Sequence, residues 1–117
     1  MPILIVDDER GVRTVLNRLL TAEGYAVAEA STGQEAIDWL AGHRASLVLL
    51  DLMLPDMHGD KVVEWVDEHK HGLPVIVLSG AGDATLDAIR PKVYMIFEKP
   101  PDFARLLPAV RLVKSGH

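Results

Sequence analysis

The sequence contains no cysteine, which excludes two classes of site. Without thiol groups the chain has no disulfide framework and offers no thiolate ligands for a zinc ion or an iron–sulfur cluster. The N-terminus also has no basic region and no signal-peptide cleavage site, because an apolar run begins directly after Met1 and Pro2. We therefore expect a protein of a reducing compartment, the cytoplasm.

Basic clusters, aromatic residues and long apolar runs are scarce as well. The formal net charge is −5, and Lys and Arg form no cluster, so we expect no direct binding to nucleic acid. Aromatic residues make up 5% of the chain, too few to form stacking platforms for single strands. No apolar run approaches the length of about 18 residues that a membrane span needs. The 117 residues suit one compact domain, residues 1–117.

What the sequence does contain is an alternation of short apolar runs with longer segments of helical periodicity. We predict strands at residues 3–6, 26–30, 47–50, 75–78 and 93–97. We predict helices at residues 11–22, from 31 or 32 to about 42, at 60–69, at 83–89 with Asp83 as the cap, and over part of 102–114. This alternation predicts an α/β fold, a doubly wound five-stranded parallel sheet with helices on both faces.

Two helices have ends that the sequence leaves open. The second helix has a capping box either from Ser31 with Gln34 or from Thr32 with Glu35. The last helix contains Pro108, which has no backbone donor. This proline suits either the first turn of a late-starting helix or a kink in a helix that starts earlier.

The polar residues of greatest interest stand within two positions of the ends of predicted strands. Asp7 and Asp8 come after the first strand, Asp51 after the third, Ser79 after the fourth and Lys99 after the fifth. Open α/β sheets bind ligands outside the carboxyl ends of their strands, where the strand order reverses. If the first and third strands are neighbours at that point, the three carboxylates converge on one crevice.

Such a crevice has a chemistry that the residue types define. Converging carboxylates repel one another, and a hard divalent cation such as Mg²⁺ removes this repulsion because it prefers oxygen ligands. Lys99 adds a mobile positive charge and Ser79 adds a hydroxyl donor, both suited to phosphoryl oxygens. The set therefore predicts phosphoryl transfer, with an oxygen of Asp51 as the in-line nucleophile.

Each of these residues also has a simpler interpretation when it is taken alone. Asp7 and Asp8 suit an acidic loop that caps the first helix, and Asp51 suits a turn cap. Ser79 suits a turn, and Lys99 suits an ordinary exposed position. The ordered set at matching strand ends favours one shared site over these separate explanations. No dinucleotide fingerprint or Walker A pattern competes with it.

Four sequence segments match a known family when they are taken together. They are IVDDE at residues 5–9, LLDLMLPDMHG at 49–59, VLSG at 77–80 and EKP at 98–100. With them, essentially the whole chain resembles the receiver domain of bacterial two-component response regulators, the CheY-like superfamily. The resemblance implies a flavodoxin-like sheet with the strand order 2-1-3-4-5.

The resemblance also implies a role for each acidic residue of the crevice. Asp51 is then the phosphoacceptor, and Asp8 and Asp51 ligate Mg²⁺, which Mn²⁺ can replace. The backbone carbonyl of Met53 is implied as the third protein ligand. Asp7 is implied to act mainly through a metal-bound water.

The same resemblance implies how the domain works with other proteins. The phosphodonor is a phosphohistidine on a sensor histidine kinase or a histidine phosphotransfer protein, and Ser79 and Lys99 contact the phosphoryl oxygens. The domain catalyses its own phosphorylation and slow dephosphorylation only, so we do not expect an enzyme. The signal passes to a downstream protein by conformational change or onward phosphotransfer.

Departures from the family pattern leave an alternative open. Ile96 stands at the usual aromatic switch position, Arg-Pro-Lys replaces the usual Gly-Ala at 90–92, and the stretch 79–99 is about two residues short. These changes fall on the face through which many receivers signal. The alternative is therefore a phosphorylation-independent interaction module. A small aspartyl-phosphate hydrolase is disfavoured, because Met53 stands where such an enzyme has its general acid.

Several remaining residues are predicted to pack, to lie on the surface or to tune the chemistry. The histidines show no ligand spacing and are predicted surface residues: His43, His58, His69, His71 and His117. Trp39 and Trp65 stand at helical spacing with aliphatic residues and are predicted to pack. Met53 and Ala81 occupy positions that tune aspartyl-phosphate lifetime in the family. Both are apolar, so we predict slow self-dephosphorylation.

Overall fold

Strands and helices alternate along the chain in the computed structural model, which describes residues 1–80, 82–99 and 101–116. Ala81, Pro100 and His117, which entered the sequence predictions, lie outside the described residues. The strands are β1 (Ile3–Val6), β2 (Val27–Ala30), β3 (Leu47–Asp51), β4 (Val75–Ser79) and β5 (Met95–Glu98). The helices are α1 (Arg10–Ala22), α2 (Gly33–Gly42), α3 (Asp60–His69), α4 (Leu86–Ile89) and α5 (Phe103–Gly116), and a 3-10 turn (Arg90–Lys92) follows α4. Within this described part of the chain, no helix is long and apolar enough to cross a membrane.

The five strands form one parallel sheet in the order β2-β1-β3-β4-β5, as predicted. β1 pairs with β2 on one side and with β3 on the other. β4 lies between β3 and the edge strand β5. The chain connects β1 to β2 on one side and then crosses to β3 on the other side, so the strand order reverses between β1 and β3. The carboxyl ends of these two strands therefore border the crevice where such sheets bind ligands.

The inner strands are buried on both faces of the sheet. In β1, Leu4 and Val6 pack in an apolar cluster with residues of α2, α3 and α4. Ile3 and Ile5 of the same strand pack in a second cluster with residues of α1 and α5. Successive side chains of a strand point to opposite faces, so four consecutive apolar residues serve two cores. The predicted doubly wound arrangement, with helices on both faces, is confirmed.

The edge strand β5 differs from its prediction. It begins at Met95 rather than at residue 93, because the turn Arg90–Lys92, which contains Pro91, occupies the preceding chain. The N–H of Val93 still bonds to the carbonyl of Arg90 in that turn. Met95 is 40% exposed, so the edge strand lacks the double burial of the inner strands.

The structure decides between the alternatives at two helix ends. The side chain of Thr32 accepts a hydrogen bond from the N–H of Glu35 at 3.0 Å, so Thr32 and not the preceding serine caps α2. Pro108 lies inside α5, which starts at Phe103. The alternative of a late-starting helix with Pro108 in its first turn is therefore wrong.

The prediction that Asp83 caps α4 is also wrong. The helix begins at Leu86, and the residue before it, Thr85, forms no side-chain cap. Oδ1 of Asp83 instead accepts hydrogen bonds from the N–H and the hydroxyl of Thr85, at 2.9 and 2.6 Å. Asp83 therefore orders the turn that precedes α4. Its second carboxylate oxygen is left for another partner.

Candidate functional site

Asp7 and Asp51 become neighbours because their strands are paired. Val6 of β1 lies opposite Leu50 of β3, so Asp7, which follows β1, lies beside Asp51, the last residue of β3. One carboxylate oxygen from each of Asp7, Asp8 and Asp51 lies within 4.8 Å of the other two. Asp7 and Asp51 are 1% and 2% exposed, whereas Asp8 is open to solvent. Three carboxylates thus share one crevice at the carboxyl edge of the sheet.

Lys99 connects the fifth strand to this acidic crevice. Its Nζ donates hydrogen bonds to Oδ2 of Asp51 at 2.8 Å and to Oδ2 of Asp7 at 3.1 Å. Its backbone N–H donates to the carbonyl of Ser79 at 2.7 Å, which ties the end of β5 to the end of β4. One ammonium group therefore binds two of the three carboxylates, and its single positive charge does not balance all three.

The environment of the crevice shifts the pKa values of two of its groups. Burial raises the pKa of Asp7 above its ordinary 3.8, although hydrogen bonds from the N–H of Glu9 and from Lys99 favour the charged form. Burial opposes the charge of Lys99, but the hydrogen bonds and charges of Asp51 and Asp7 outweigh it and raise the pKa of Lys99. Lys99 is therefore a cation at neutral pH, and an ionised Asp7 is costly to the metal-free protein.

The backbone around Asp51 orients its carboxylate. The N–H of Met53 donates to Oδ1 of Asp51 at 3.0 Å, while Lys99 holds Oδ2. The side chain of Met53 is 64% exposed and offers no polar atom able to orient a water by a strong hydrogen bond. Ser79 is 2% exposed and follows Leu78, the residue of β4 that pairs with Asp51.

Two side chains that sequence reasoning missed hold the loops of the crevice. Arg13 of α1 donates to the backbone carbonyl of Asp7 at 2.7 Å. The carboxylate of Asp56 accepts the N–H groups of Gly33 and Gln34 at the start of α2, both at 2.9 Å, and these bonds lower the pKa of Asp56. Asp56 belongs to the 49–59 segment quoted above, but nothing local in the sequence shows that its partners are the first residues of α2.

His58 is a further residue that the sequence prediction placed wrongly. It is not a simple surface histidine, because its ring lies between two acidic side chains and is 31% exposed. Nδ1 lies 2.9 Å from Oδ1 of Asp60, and Nε2 lies 3.0 Å from Oδ2 of Asp83. The contact with Asp60 could have been predicted from the sequence, because Asp60 stands two residues after His58. The contact with Asp83 could not, because Asp83 stands 25 residues further along the chain.

The donor set of the crevice fits Mg²⁺. Asp7, Asp8 and Asp51 offer oxygen atoms only, at mutual distances that allow them to share one ion directly or through water. A single lysine leaves part of their charge uncompensated, which a divalent cation can neutralise. The exposed Asp8 gives the crevice an approach from solvent.

Comparison with known proteins identifies the family to which this chain belongs. The model of the response regulator receiver domain matches residues 3–111. The chain belongs to this family. The receiver domain is 43% identical over 83 residues to the transcriptional regulatory protein SrrA of Staphylococcus aureus (strain NCTC 8325 / PS 47), and the match covers 71% of this chain and 34% of SrrA. The chain thus spans about a third of the length of the curated relatives it matches.

Solved receiver domains have the same fold. The non-phosphorylated receiver domain of HemR from Leptospira biflexa is 28% identical with a TM-score of 0.89, and the match covers 100% of this chain and 97% of that receiver-domain chain. The response regulator TrrA from Thermotoga maritima, in complex with Mg(2+)-BeF, is 28% identical with a TM-score of 0.87 and coverages of 97% and 99%. Receiver domains are signalling phosphoacceptors rather than enzymes in the usual sense. The intact acidic crevice does not favour the phosphorylation-independent alternative.

The receiver domain departs from its family pattern around Ile96. This side chain is half-buried and lies in β5 opposite Val77. A cavity of about 330 Å³ beside it is lined by residues that include Ser79, Leu86 and Arg90. The position that carries an aromatic switch residue in many receivers is thus occupied by an aliphatic one, next to open space at the end of β4.

Proposed function

We propose that this receiver domain accepts a phosphoryl group on the carboxylate of Asp51 from a phosphohistidine of a sensor histidine kinase or a histidine phosphotransfer protein. The convergence of Asp7, Asp8 and Asp51, with Lys99 bonded to two of them, is the observation that carries the proposal. These groups come from three strand ends, and no structural need of the sheet explains why Asp7 and Asp51 are buried side by side.

The protein groups divide the work of transfer between them. A carboxylate oxygen of Asp51 attacks phosphorus in line, the P–N bond to the donor histidine breaks, and the electron pair leaves with the histidine nitrogen. The N–H of Met53 holds Oδ1 of Asp51 in place during the attack. Lys99, already 2.8 Å from Oδ2, supplies positive charge to the incoming phosphoryl oxygens, and Ser79 supplies a hydroxyl donor.

Asp7, Asp8, Asp51 and the backbone carbonyl of Met53 would hold the Mg²⁺ ion, with Asp7 acting through a water. Mn²⁺ is a substitute with the same preference for oxygen ligands. When bound, the cation neutralises negative charge on the phosphoryl oxygens. Two of these carboxylates are already held in place, because Asp7 and Asp51 accept hydrogen bonds from Lys99 and from the backbone N–H groups of Glu9 and Met53, which supports this assignment.

The proposed output is a signal rather than a released product. The aspartyl phosphate shifts the conformation of the domain or passes the phosphoryl group onward to a downstream protein, and the domain reverses its own phosphorylation slowly. A cytoplasmic location and the absence of direct nucleic-acid contact by this acidic domain, here taken as the single unit 1–117, are parts of the same proposal.

Intact mass measurement after incubation with phosphoramidate and Mg²⁺ tests the proposal. We expect the wild type and Asp38→Asn, a change at an exposed carboxylate of α2, to gain the mass of one phosphoryl group. Asp51→Asn is expected to gain none. Equal phosphorylation of the Asp51 variant, or none of the wild type, would contradict the proposal. Partner binding unaffected by Asp51→Ala would support the interaction module instead.

A further inference from the structure

The His58 ring connects two loops that flank the acidic crevice. The loop 52–59 between β3 and α3 carries His58, and the segment between β4 and α4 carries Asp83. Nε2 of His58 lies 3.0 Å from Oδ2 of Asp83, whose side chain is 10% exposed. A hydrogen bond to a largely buried carboxylate is among the stronger kinds, because the acceptor is ionised and shielded from water.

The direction of this hydrogen bond follows from its acceptor. Oδ2 of Asp83 belongs to a carboxylate and can only accept, so Nε2 of His58 donates. In the neutral ring that carries its hydrogen on Nε2, Nδ1 accepts from the N–H of Asp60 at 3.1 Å. In the protonated ring both nitrogens donate, and Nδ1 then bonds to Oδ1 of Asp60 at 2.9 Å. Nε2 donates to Asp83 in either form.

A short backbone path joins His58 to the phosphoacceptor. His58 and Met53 form an antiparallel bridge that closes the loop 52–59 on itself. The N–H of Met53 in turn donates to Oδ1 of Asp51 at 3.0 Å. The carboxylate of Asp51 and the ring of His58 therefore belong to one hydrogen-bonded loop.

On its other side the path ends at α4. Oδ1 of Asp83 bonds to the N–H and the hydroxyl of Thr85, and the carbonyl of Asp83 accepts from the N–H of Leu86, the first residue of α4. One carboxylate thus binds His58 through Oδ2 and orders the approach to α4 through Oδ1. The four-residue helix α4 has few hydrogen bonds of its own to hold it.

We propose that His58 is a positioning residue that couples the loop of Asp51 to α4 through its hydrogen bond to Asp83. In the unphosphorylated domain this bond holds residues 82–89. Phosphorylation of Asp51 changes the loop 52–59 and with it the equilibrium between held and released α4. The inference rests on the proposed function. The contact between His58 and Asp83 would connect the loop of Asp51 to α4 without an aromatic side chain at position 96, where this chain has Ile96.

Amide hydrogen exchange of residues 82–89 in four variants tests the hydrogen bond itself. The amide nitrogen of Gln lies near the place of Nε2 of His, whereas Asn reaches only as far as Nδ1. We therefore expect His58→Ala and His58→Asn to exchange about five- to tenfold faster than the wild type in this segment. We expect His58→Gln to restore slow exchange. His71→Ala, at a ring that is 88% exposed, is the matched control and is expected to match the wild type.

The coupling is tested by adding beryllofluoride and Mg²⁺. In the wild type we expect faster exchange in residues 82–89 on addition, and in His58→Ala we expect that segment to be fast already and to show no further change. Wild-type exchange rates in His58→Ala, or failure of His58→Gln to restore them, would overturn the role of the hydrogen bond. Failure of the wild type to take up phosphate from phosphoramidate is a separate result. It would overturn the proposed function, and the coupling with it.

Discussion

Asp7 is a nearly buried carboxylate beside a second buried carboxylate, Asp51, and its partial neutralisation comes from Lys99. Burial raises its pKa, so the folded protein binds a proton at Asp7 more tightly than the unfolded chain does. This contribution to stability is present below the ordinary pKa of 3.8 and is lost as the pH rises through the higher pKa of the folded state. At neutral pH the ionised Asp7 therefore destabilises the metal-free fold.

Asp7→Asn removes that charge and leaves an amide oxygen for Lys99, while the hydrogen bond that Asp7 accepts from the N–H of Glu9 is lost. In EDTA at pH 7 we expect the variant to be more stable than the wild type by about 1 kcal/mol, the usual order for relief of strain at a functional site. The difference is expected to shrink as the pH falls toward 3.8, where the wild-type carboxyl becomes protonated. Urea unfolding at several pH values measures it. A variant less stable than the wild type at pH 7 would show that the contacts of Asp7 with Glu9 and Lys99 outweigh the cost of its burial.

Met53 gives the residue-scale prediction for the lifetime of the phosphorylated state. Its exposed thioether side chain cannot position an attacking water, so dephosphorylation depends on water that no side chain at this position holds. We expect Met53→Asn to lose phosphate about tenfold faster, the effect of one hydrogen bond of about 1.4 kcal/mol in the transition state. Decay of the phosphorylated mass with time checks this. A faster-decaying wild type would refute it.

At the scale of elements, the loop 52–59 is fixed by close backbone contact. A Cβ atom at Gly59 would lie 2.7 Å from Cα of Leu52 and 2.9 Å from the carbonyl oxygen of Asp51. The N–H of Gly59 also donates to the carbonyl of Leu52 at 2.7 Å. The loop that carries Met53 and His58 therefore has no room for any side chain at this position.

Gly59→Ala is expected to destabilise the protein by about 1–3 kcal/mol, because backbone rather than a flexible side chain must move. The same shift displaces the carbonyl of Asp51, so phosphorylation by phosphoramidate is expected to slow as well. Gly11→Ala in α1 is the control, since a Cβ there meets nothing within 4 Å, and it is expected to stabilise by about 0.5–1 kcal/mol. Equal thermal midpoints for the two variants would argue against a tight loop.

At the scale of the whole molecule, the stability of the sheet and the binding of an ion at its edge depend on each other. Strands β1, β3 and β5 bring the charged groups to one edge, while the two apolar clusters on its faces hold those strands in register. An ion that binds this edge binds only the folded chain. Its free energy of binding is therefore added to the free energy of unfolding.

Mg²⁺ is accordingly expected to raise the midpoint of thermal unfolding, with about 2.7 kcal/mol of stabilisation at a concentration one hundred times the dissociation constant. Asp8→Asn changes an exposed carboxylate, so we expect its midpoint in EDTA to match the wild type and its response to Mg²⁺ to be largely lost. Scanning calorimetry with and without Mg²⁺ measures both. A wild-type midpoint that Mg²⁺ leaves unchanged would count against the ion site.

The sequence by itself determined the α/β alternation and the residues of the crevice. Four apolar residues in a row, as in β1, can be buried only between two layers, and charged residues that directly follow such runs can lie only at strand ends. The apolar runs and the charged residues after them are neighbours along the chain, so both can be recognised in a single sequence. The carboxylates Asp7, Asp8 and Asp51 were found in this way, and Lys99 was found from its place after the last apolar run together with these carboxylates.

Only the tertiary structure decided which distant groups meet. Lys99 and Asp7 are 92 residues apart, and His58 and Asp83 are 25 apart, and each contact depends on which strands and loops become neighbours. The structure also decided that β5 starts only after the turn Arg90–Lys92 and that Pro108 lies inside α5, the latter of which the sequence had left open. Periodicity reports which side of an element is buried. It does not report what that side is buried against, and that is why the bridge from His58 to α4 was not visible in the sequence.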